Sequence, residues 1–374
     1  MKKILSLILA LSLSFALFTA CNGDDPEPSE PSEPEIVEPE YLPNLLTGEM
    51  RTSDYPVGQR PVALVINNIR GSMPQSGIND ADIIYEVVTE GGITRLLAVY
   101  SNYNTVPRVG SIRSARDQHV QLMFPLEAIY VHVGGSSYAT DMLARYGYAN
   151  RELDGYHQQG IVWRDTVRQS QGYASEYTWF TDGETIADRI DYYGINTTTV
   201  ENRTAFNFVH YDDPERELDG GVATDITVRF SQGYISTFEY RNGRYYKSQF
   251  GVPQIDDNTG EQYSAENVLI LFAGMERYPD GILTRVEYNF GGVGYYFCNG
   301  QYEQVRWIKG NPEDPLRIVD MGGNEIDILI NPGQTYVAIV GLDQYDYFSF
   351  GTDGVNIEES FSNAPSEPEV EAED

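Results

Sequence analysis

Residues 61–101, PVALVINNIRGSMPQSGINDADIIYEVVTEGGITRLLAVYS, decide the fold class. Pro61–Asn68 is a short apolar run that closes on two asparagines, the pattern of a buried strand. Asp82–Thr89 and Ile93–Ser101 are β-branched and apolar, and Glu90-Gly91-Gly92 between them predicts a hairpin. Helix signals follow. Ser114–Phe124 reads as a helix opened by Ser114, with Asp117 three residues on in a capping-box pattern. Ala128–Val133 predicts another strand, and Gly134-Gly135-Ser136-Ser137 leads from it into a helix ending near Tyr146. Thr178–Phe180 and Ile186–Tyr193 add a strand and a helix. Such alternation predicts a mixed α/β layer domain over residues 41–215.

From about Thr224 the texture becomes β-rich. Strand-like runs recur at Ile226–Phe230, Ser236–Tyr240, Tyr245–Ser248, Val268–Phe272, Arg285–Phe290, Tyr295–Cys298, Gln304–Ile308, Ile326–Ile330 and Thr335–Val340. Asn242-Gly243 and Asn299-Gly300 suit two-residue hairpin turns. The acidic, turn-rich stretch Tyr211–Gly221 predicts a boundary, with a mostly β domain at 222–357. The fold class is α+β.

The ends differ in kind. Lys2 and Lys3 precede an apolar run from Ile4 to Phe18, then Thr19, Ala20 and Cys21, the layout of a secretory signal peptide over residues 1–20. The run is short of the roughly 20 apolar residues that a spanning helix needs. Cys21 is the expected lipidation site, which predicts an extracytoplasmic protein anchored by acyl chains to the outer face of the bacterial cytoplasmic membrane. Residues 22–40 carry eight acids and five prolines, an extended acidic tether, and 358–374 an acidic tail with seven more acids. The remaining cysteine, Cys298, lies in an apolar run and reads as a buried strand thiol.

The chain of 374 residues has a formal charge of −31 and only four lysines, which excludes a nucleic-acid binder. From Arg60 to Ser170 ten arginines balance ten acids with no lysine. Guanidinium grips carboxylate or phosphate with paired bonds, so this segment is where anion recognition is expected, unless the arginines are spent on internal pairs. Ligands of open α/β sheets lie beyond the carboxyl ends of strands. One cleft there is predicted to gather Asn67, Asn68, Arg95, Arg113, Ser114, Arg116, Ser136 and Arg164.

Catalytic signals are weaker. No G-x-S-x-G elbow surrounds Ser136, which reads better as a helix cap. Glu86 and Glu90 are a chance pair for glycoside hydrolysis. His119, His132, His157 and His210 lack metal-ligand spacing, Asp256–Gly260 reads as a turn, and no nucleotide motif is present. No catalytic set, metal or cofactor is therefore expected.

RPVALVINN (60–68), PQSG (74–77), ADIIYEVVTEGGITR (81–95), VGSIRSAR (109–116), IYVHVGGS (129–136), WRD (163–165) and NPGQTYVAIV (331–340) resemble, in this order, the YerB-like bacterial lipoproteins. The resemblance implies a two-part domain of unknown function in an extracytoplasmic lipoprotein. After the Arg-Asp pair the family usually shows Pro-His-Asn, where this chain has SQGYASEY at 170–177. The combined expectation is a non-catalytic binding or regulatory protein of the cell envelope, with the membrane as one partner and a cell-wall component or wall-synthesis protein as another. The alternative is a hydrolase or transferase acting on an envelope polymer.

Overall fold

A computed structural model describes residues 42–199 and 203–352. Cys21, the tether and the acidic tail lie outside the described residues. The described strands are β1 Val62–Asn67, β2 Ile83–Val88, β3 Thr94–Tyr100, β4 Ile129–His132, β5 Glu152–Asp154, β6 Asp225–Ser231, β7 Tyr234–Arg241, β8 Arg244–Gln249, β9 Asn267–Ala273, β10 Gly292–Cys298, β11 Gln301–Ile308, β12 Arg317–Val319, β13 Thr335–Gly341 and β14 Ser349–Gly351, with shorter pairings besides. Helices α1 Asp117–Met123, α2 Ser137–Arg145, α3 Thr166–Ser170 and α4 Gly183–Tyr193 all belong to the first half. The N-terminal region is thus mixed α/β and the C-terminal region mostly strands.

Strands from both regions share one ten-stranded sheet, in the order β12-β11-β10-β9-β13-β2-β3-β1-β4-β5. The joint is the parallel pairing of β2 with β13, from Ile83 opposite Thr335 to Val87 opposite Ile339. β13 also pairs in parallel with β9 along its whole length. These strands are buried at every position because both faces of the sheet are covered. Along β1, Val62, Leu64 and Ile66 enter one core while Ala63 and Val65 enter the other. The first core is closed by the second sheet, with Ile226, Val228, Phe238 and Tyr245 from β6–β8. The other is closed by α1 and α2 through Val120, Leu122, Met123, Ala139 and Leu143.

The two asparagine–glycine turns form as expected. Arg241 pairs with Arg244 and Cys298 with Gln301, and Asn242, Gly243, Asn299 and Gly300 all have positive φ, as two-residue hairpins require. Cys298 is buried at the end of β10, where Asn331 donates to its sulfur. Asp256 accepts from Asn258 in a turn.

Three local expectations are corrected. Of Arg285–Phe290 only the first two residues are strand, and Tyr288–Phe290 is a 3-10 turn. Ile326–Ile330 is not a strand: only isolated bridges, Val319 to Asp327 and Phe208 to Ile330, touch it. Helix α1 starts at Asp117 with Arg116 at the N-cap, so Ser114 does not cap it. The reason is that Ser111–Ala115 is committed to strand-like pairing, with bridges from Ile112 to Ile66 and from Ala115 to Gly135.

Candidate functional site

β1 and β4 run parallel, and the extended segment 111–115 crosses their carboxyl ends. Asn67 N–H donates to the Ser111 carbonyl and Arg113 N–H to that of Val65. Antiparallel partners point to the same face, so Asn67, Ser111 and Arg113 all face the α1/α2 side. Arg95 joins them, because β3 places it directly opposite Asn67. This face holds most of the predicted residues.

Charge there is concentrated. Arg95 Nη2 donates to Glu90 Oε1 at 2.6 Å, and its Nη1 to the Ser114 carbonyl at 2.7 Å. Arg116 grips both oxygens of the same carboxylate, at 2.8 and 2.5 Å. Burial would raise the Glu90 carboxyl, but the Arg95 and Arg116 guanidiniums outweigh it and hold the group down at about 2. Burial, with Arg116 beside it, brings Arg95 down to about 9, so it remains charged at neutral pH. Arg113 lies within electrostatic reach of Arg116, Glu90 and Glu176.

Around these charges stand buried polar atoms without partners. Asn67 Nδ2, Ser111 Oγ, Arg113 Nε and both ring nitrogens of His119 are buried and have no hydrogen-bond partner among the described residues. Burial, followed by Arg95 and Arg116, pushes His119 down to about 3, so its ring is neutral. A buried polar group left unpaired costs about 1–3 kcal/mol. Several in one place could be satisfied by ordered water or by a polar ligand.

Asn68 and Arg164 lie elsewhere, while Ser136 sits beside the cluster, its N–H donating to the Ala115 carbonyl that Arg116 also holds. Asn68 follows Asn67 by one residue and so takes the opposite face, the alternation of a strand having period two. There its Nδ2 donates to Glu86 Oε1 at 3.0 Å, Thr94 Oγ1 at 2.8 Å and Gln249 Oε1 at 3.0 Å. Lys247 Nζ lies 3.1 Å from Glu86 Oε2, with both side chains at 0% exposure. It donates to Gln249 and Gln254, and the Tyr336 hydroxyl donates to Glu86. This is a sealed polar core. Arg164 stacks 3.4 Å from the Trp179 ring centroid and donates to the Ser175 carbonyl. Glu176 acts electrostatically on both it and Arg113.

Ser136 caps α2 by accepting from Ala139 N–H at 3.2 Å. Its neighbour His132 turns Nδ1 to the Gly134 carbonyl and Nε2 to Glu152, so the two form no nucleophile–base pair. Glu86 is sealed in the core on the opposite side from Arg95 and cannot act with Glu90 on a sugar. Ser111, His119 and the shared carboxylate of Glu90 complete the cluster and were not singled out as its members by sequence. Ser111 had a signal, its place two residues before Arg113 in an extended run, whereas His119 had none.

Residues 46–196 match the family model described as "Protein of unknown function (DUF3048) N-terminal domain", and residues 226–337 match its "C-terminal domain" partner. The chain is 28% identical over 346 residues to "Putative lipoprotein YerB" of Bacillus subtilis (strain 168), across 91% of this chain and 96% of the relative. It also superposes on the crystal structure of the YerB protein from Bacillus subtilis with a TM-score of 0.70 at 25% identity, covering 83% of this chain and all of the other.

Proposed function

We propose, for a chain that belongs to the DUF3048 family shared with YerB, an extracytoplasmic lipid-anchored protein of the cell envelope that binds an anionic group and performs no catalysis. The observation that carries the reading is the convergence of Arg95, Arg113 and Arg116 on one face, where Arg95 and Arg116 share the single carboxylate of Glu90. The buried, unpartnered Asn67 Nδ2 and Ser111 Oγ add neutral donors beside these guanidiniums, and Arg113 Nε adds a charged one. A carboxylate or phosphate accepts both kinds of bond. Wall fragments and wall-synthesis partners carry such groups, and a lipid on Cys21 followed by the acidic tether would hold the site within reach of them.

The full-length chain is titrated calorimetrically with inorganic phosphate, acetate and muropeptide fragments, beside Arg113→Ala. Binding that Arg113→Ala weakens tenfold or more supports the reading, and equal binding by the variant refutes it. Glu90→Gln removes the resident carboxylate and is expected to tighten anion binding. Metabolic labelling with a radioactive fatty acid tests the anchor, and Cys21→Ser must abolish the label.

A further inference from the structure

The inner members of the arginine cluster are closed to solvent: Arg95 is 2% exposed, Ser111 and His119 0%. Glu90, Arg113 and Arg116 stand half-buried at its mouth. An anion reaches the inner groups only if an element beside that mouth moves. The strands Met275–Arg277 and Thr284–Val286 pair as a hairpin that belongs to neither large sheet. It leaves β9 through the exposed Gly274 and returns through the buried Val286. Three contacts fix it to the N-terminal region. Thr284 Oγ1 donates to the Thr89 carbonyl at 3.0 Å. The Tyr278 hydroxyl donates to Asp117 Oδ2 at 2.8 Å. The Tyr278 ring stacks on Tyr138, with centroids 3.6 Å apart and planes 12° from parallel. Thr89 directly precedes Glu90, Asp117 directly follows Arg116, and Tyr138 lies two residues beyond Ser136. The anchors thus adjoin the three segments that frame the cluster.

We propose that the hairpin Met275–Val286 is a strap that gates the anion-binding cluster, swinging about its base to admit the ligand. The proposal rests on the anion reading and adds to it the element that controls entry. The hairpin can move as a unit because its backbone bonds are its own. Besides the ladder, Tyr278 N–H donates to the Leu283 carbonyl and Glu287 N–H to that of Gly274, each at 2.9 Å. The Arg285–Glu276 ion pair also lies within it and travels with it. What must break is thin: two hydroxyl hydrogen bonds and one stacked pair. The tip from Pro279 to Ile282 is exposed, so lifting it uncovers little apolar surface, the mark of a segment of low local stability. Asp117 is not stranded when Tyr278 leaves, since Arg116 is within electrostatic reach of it. Lids built in this way sequester a site until a ligand arrives.

The full-length chain in detergent, as wild type and as the double variant Tyr278→Phe/Thr284→Val, is titrated calorimetrically with inorganic phosphate. Phenylalanine keeps the stack and valine the shape, so the two hydroxyl bonds alone are lost. A closed gate lowers apparent affinity in proportion to the open fraction, so the variant is expected to bind phosphate about fivefold more tightly or better. Without phosphate, trypsin is expected to cut after the exposed Arg277 faster by a similar factor. Should the double variant fail to fold, Tyr278→Phe alone decides, with roughly threefold expected in both readouts. Phosphate bound equally by both proteins would overturn the strap and leave the anion reading standing, whatever the cleavage rates. Weaker binding by the variant would make the hairpin a wall of the site and overturn the gate. Tighter binding with unchanged cleavage would place the effect outside the hairpin and overturn it as well. If neither protein binds phosphate, the anion reading falls and the strap with it.

Discussion

Replacing Lys247 by methionine tests the sealed polar core that joins β8 to β2. In the wild type Lys247 Nζ lies 3.1 Å from Glu86 Oε2, 2.7 Å from Gln249 Oε1 and 2.6 Å from Gln254 Oε1. The variant keeps the volume and removes the charge. Glu86, at 0% exposure, is left with donors from Asn68, Thr94 and Tyr336 and no cation. Breaking a buried pair from one side costs about 3–5 kcal/mol, because the surviving charge stays in low dielectric. Two glutamine acceptors lose their donor as well, so the upper half of that range is expected. Glu86→Leu should cost a similar amount, by stranding Lys247 and freeing the donors of Asn68 and Thr94. The double variant has no isolated charge, so its loss should fall short of the summed single losses by about 2 kcal/mol or more. Urea unfolding of wild type, both singles and the double measures all four terms. A loss under about 1 kcal/mol in Lys247→Met, or strict additivity, would refute the reasoning.

Three further outcomes follow from the same structure. Glu90, held at about 2 against its usual 4.5, is a depressed acid, so its contribution is complete above pH 4.5 and lost as pH falls toward 2. The stability gap between wild type and Glu90→Gln should therefore be flat at neutral pH, at most roughly 3 kcal/mol, and shrink in acid titrations below pH 4.5. Asp82 has the opposite sign: burial raises it to about 6, against hydrogen bonds from Ser101 and Asn44. Its ionisation costs stability as pH rises from about 4 through 6, so Asp82→Asn should gain on the wild type across that window by up to about 3 kcal/mol and hold the gain above it in denaturant melts. Residues 42–199 expressed alone should lack a cooperative thermal transition by calorimetry, since β2 would lose its β13 partner; a sharp two-state melt would contradict the shared sheet.

Strands β1–β4 were legible because each is a short apolar run between turn residues, whereas β5, Glu-Leu-Asp, carries no such signal; both asparagine–glycine turns carry their geometry in two letters. The change of texture near Thr224 was legible for the same reason. What the sequence could not convey was register. Asn67 and Asn68 look equivalent as neighbours, yet pleating sends one toward Arg95 and the other into the Lys247–Glu86 core. The grouping of Asn67, Arg95, Arg113, Ser114 and Arg116 was readable from arginine content and strand ends. Arg164 was not separable from it, because stacking on Trp179 depends on how a distant strand folds back. His132 and Glu152 approach only through the parallel pairing of β4 and β5, twenty residues apart. Ser114 looked like a cap because Asp117 follows it at the right spacing, but tertiary pairing of 111–115 overrode the local signal.

The place of β13 between β2 and β9 has a consequence for biosynthesis. A ribosome delivers β2 early and β13 almost last, about 250 residues later. At roughly 5–20 residues per second the interval is on the order of 12 to 50 seconds. Throughout it, Ile83–Val88 can complete its hairpin with β3, but its other edge waits unpaired. An open edge of apolar residues is an invitation to cross-chain association. Any chain that emerges N-terminus first thus holds its first half as an unfinished sheet until β13 arrives, and its yield should respond to the rate of emergence and chaperone supply more than to the stability of the finished molecule.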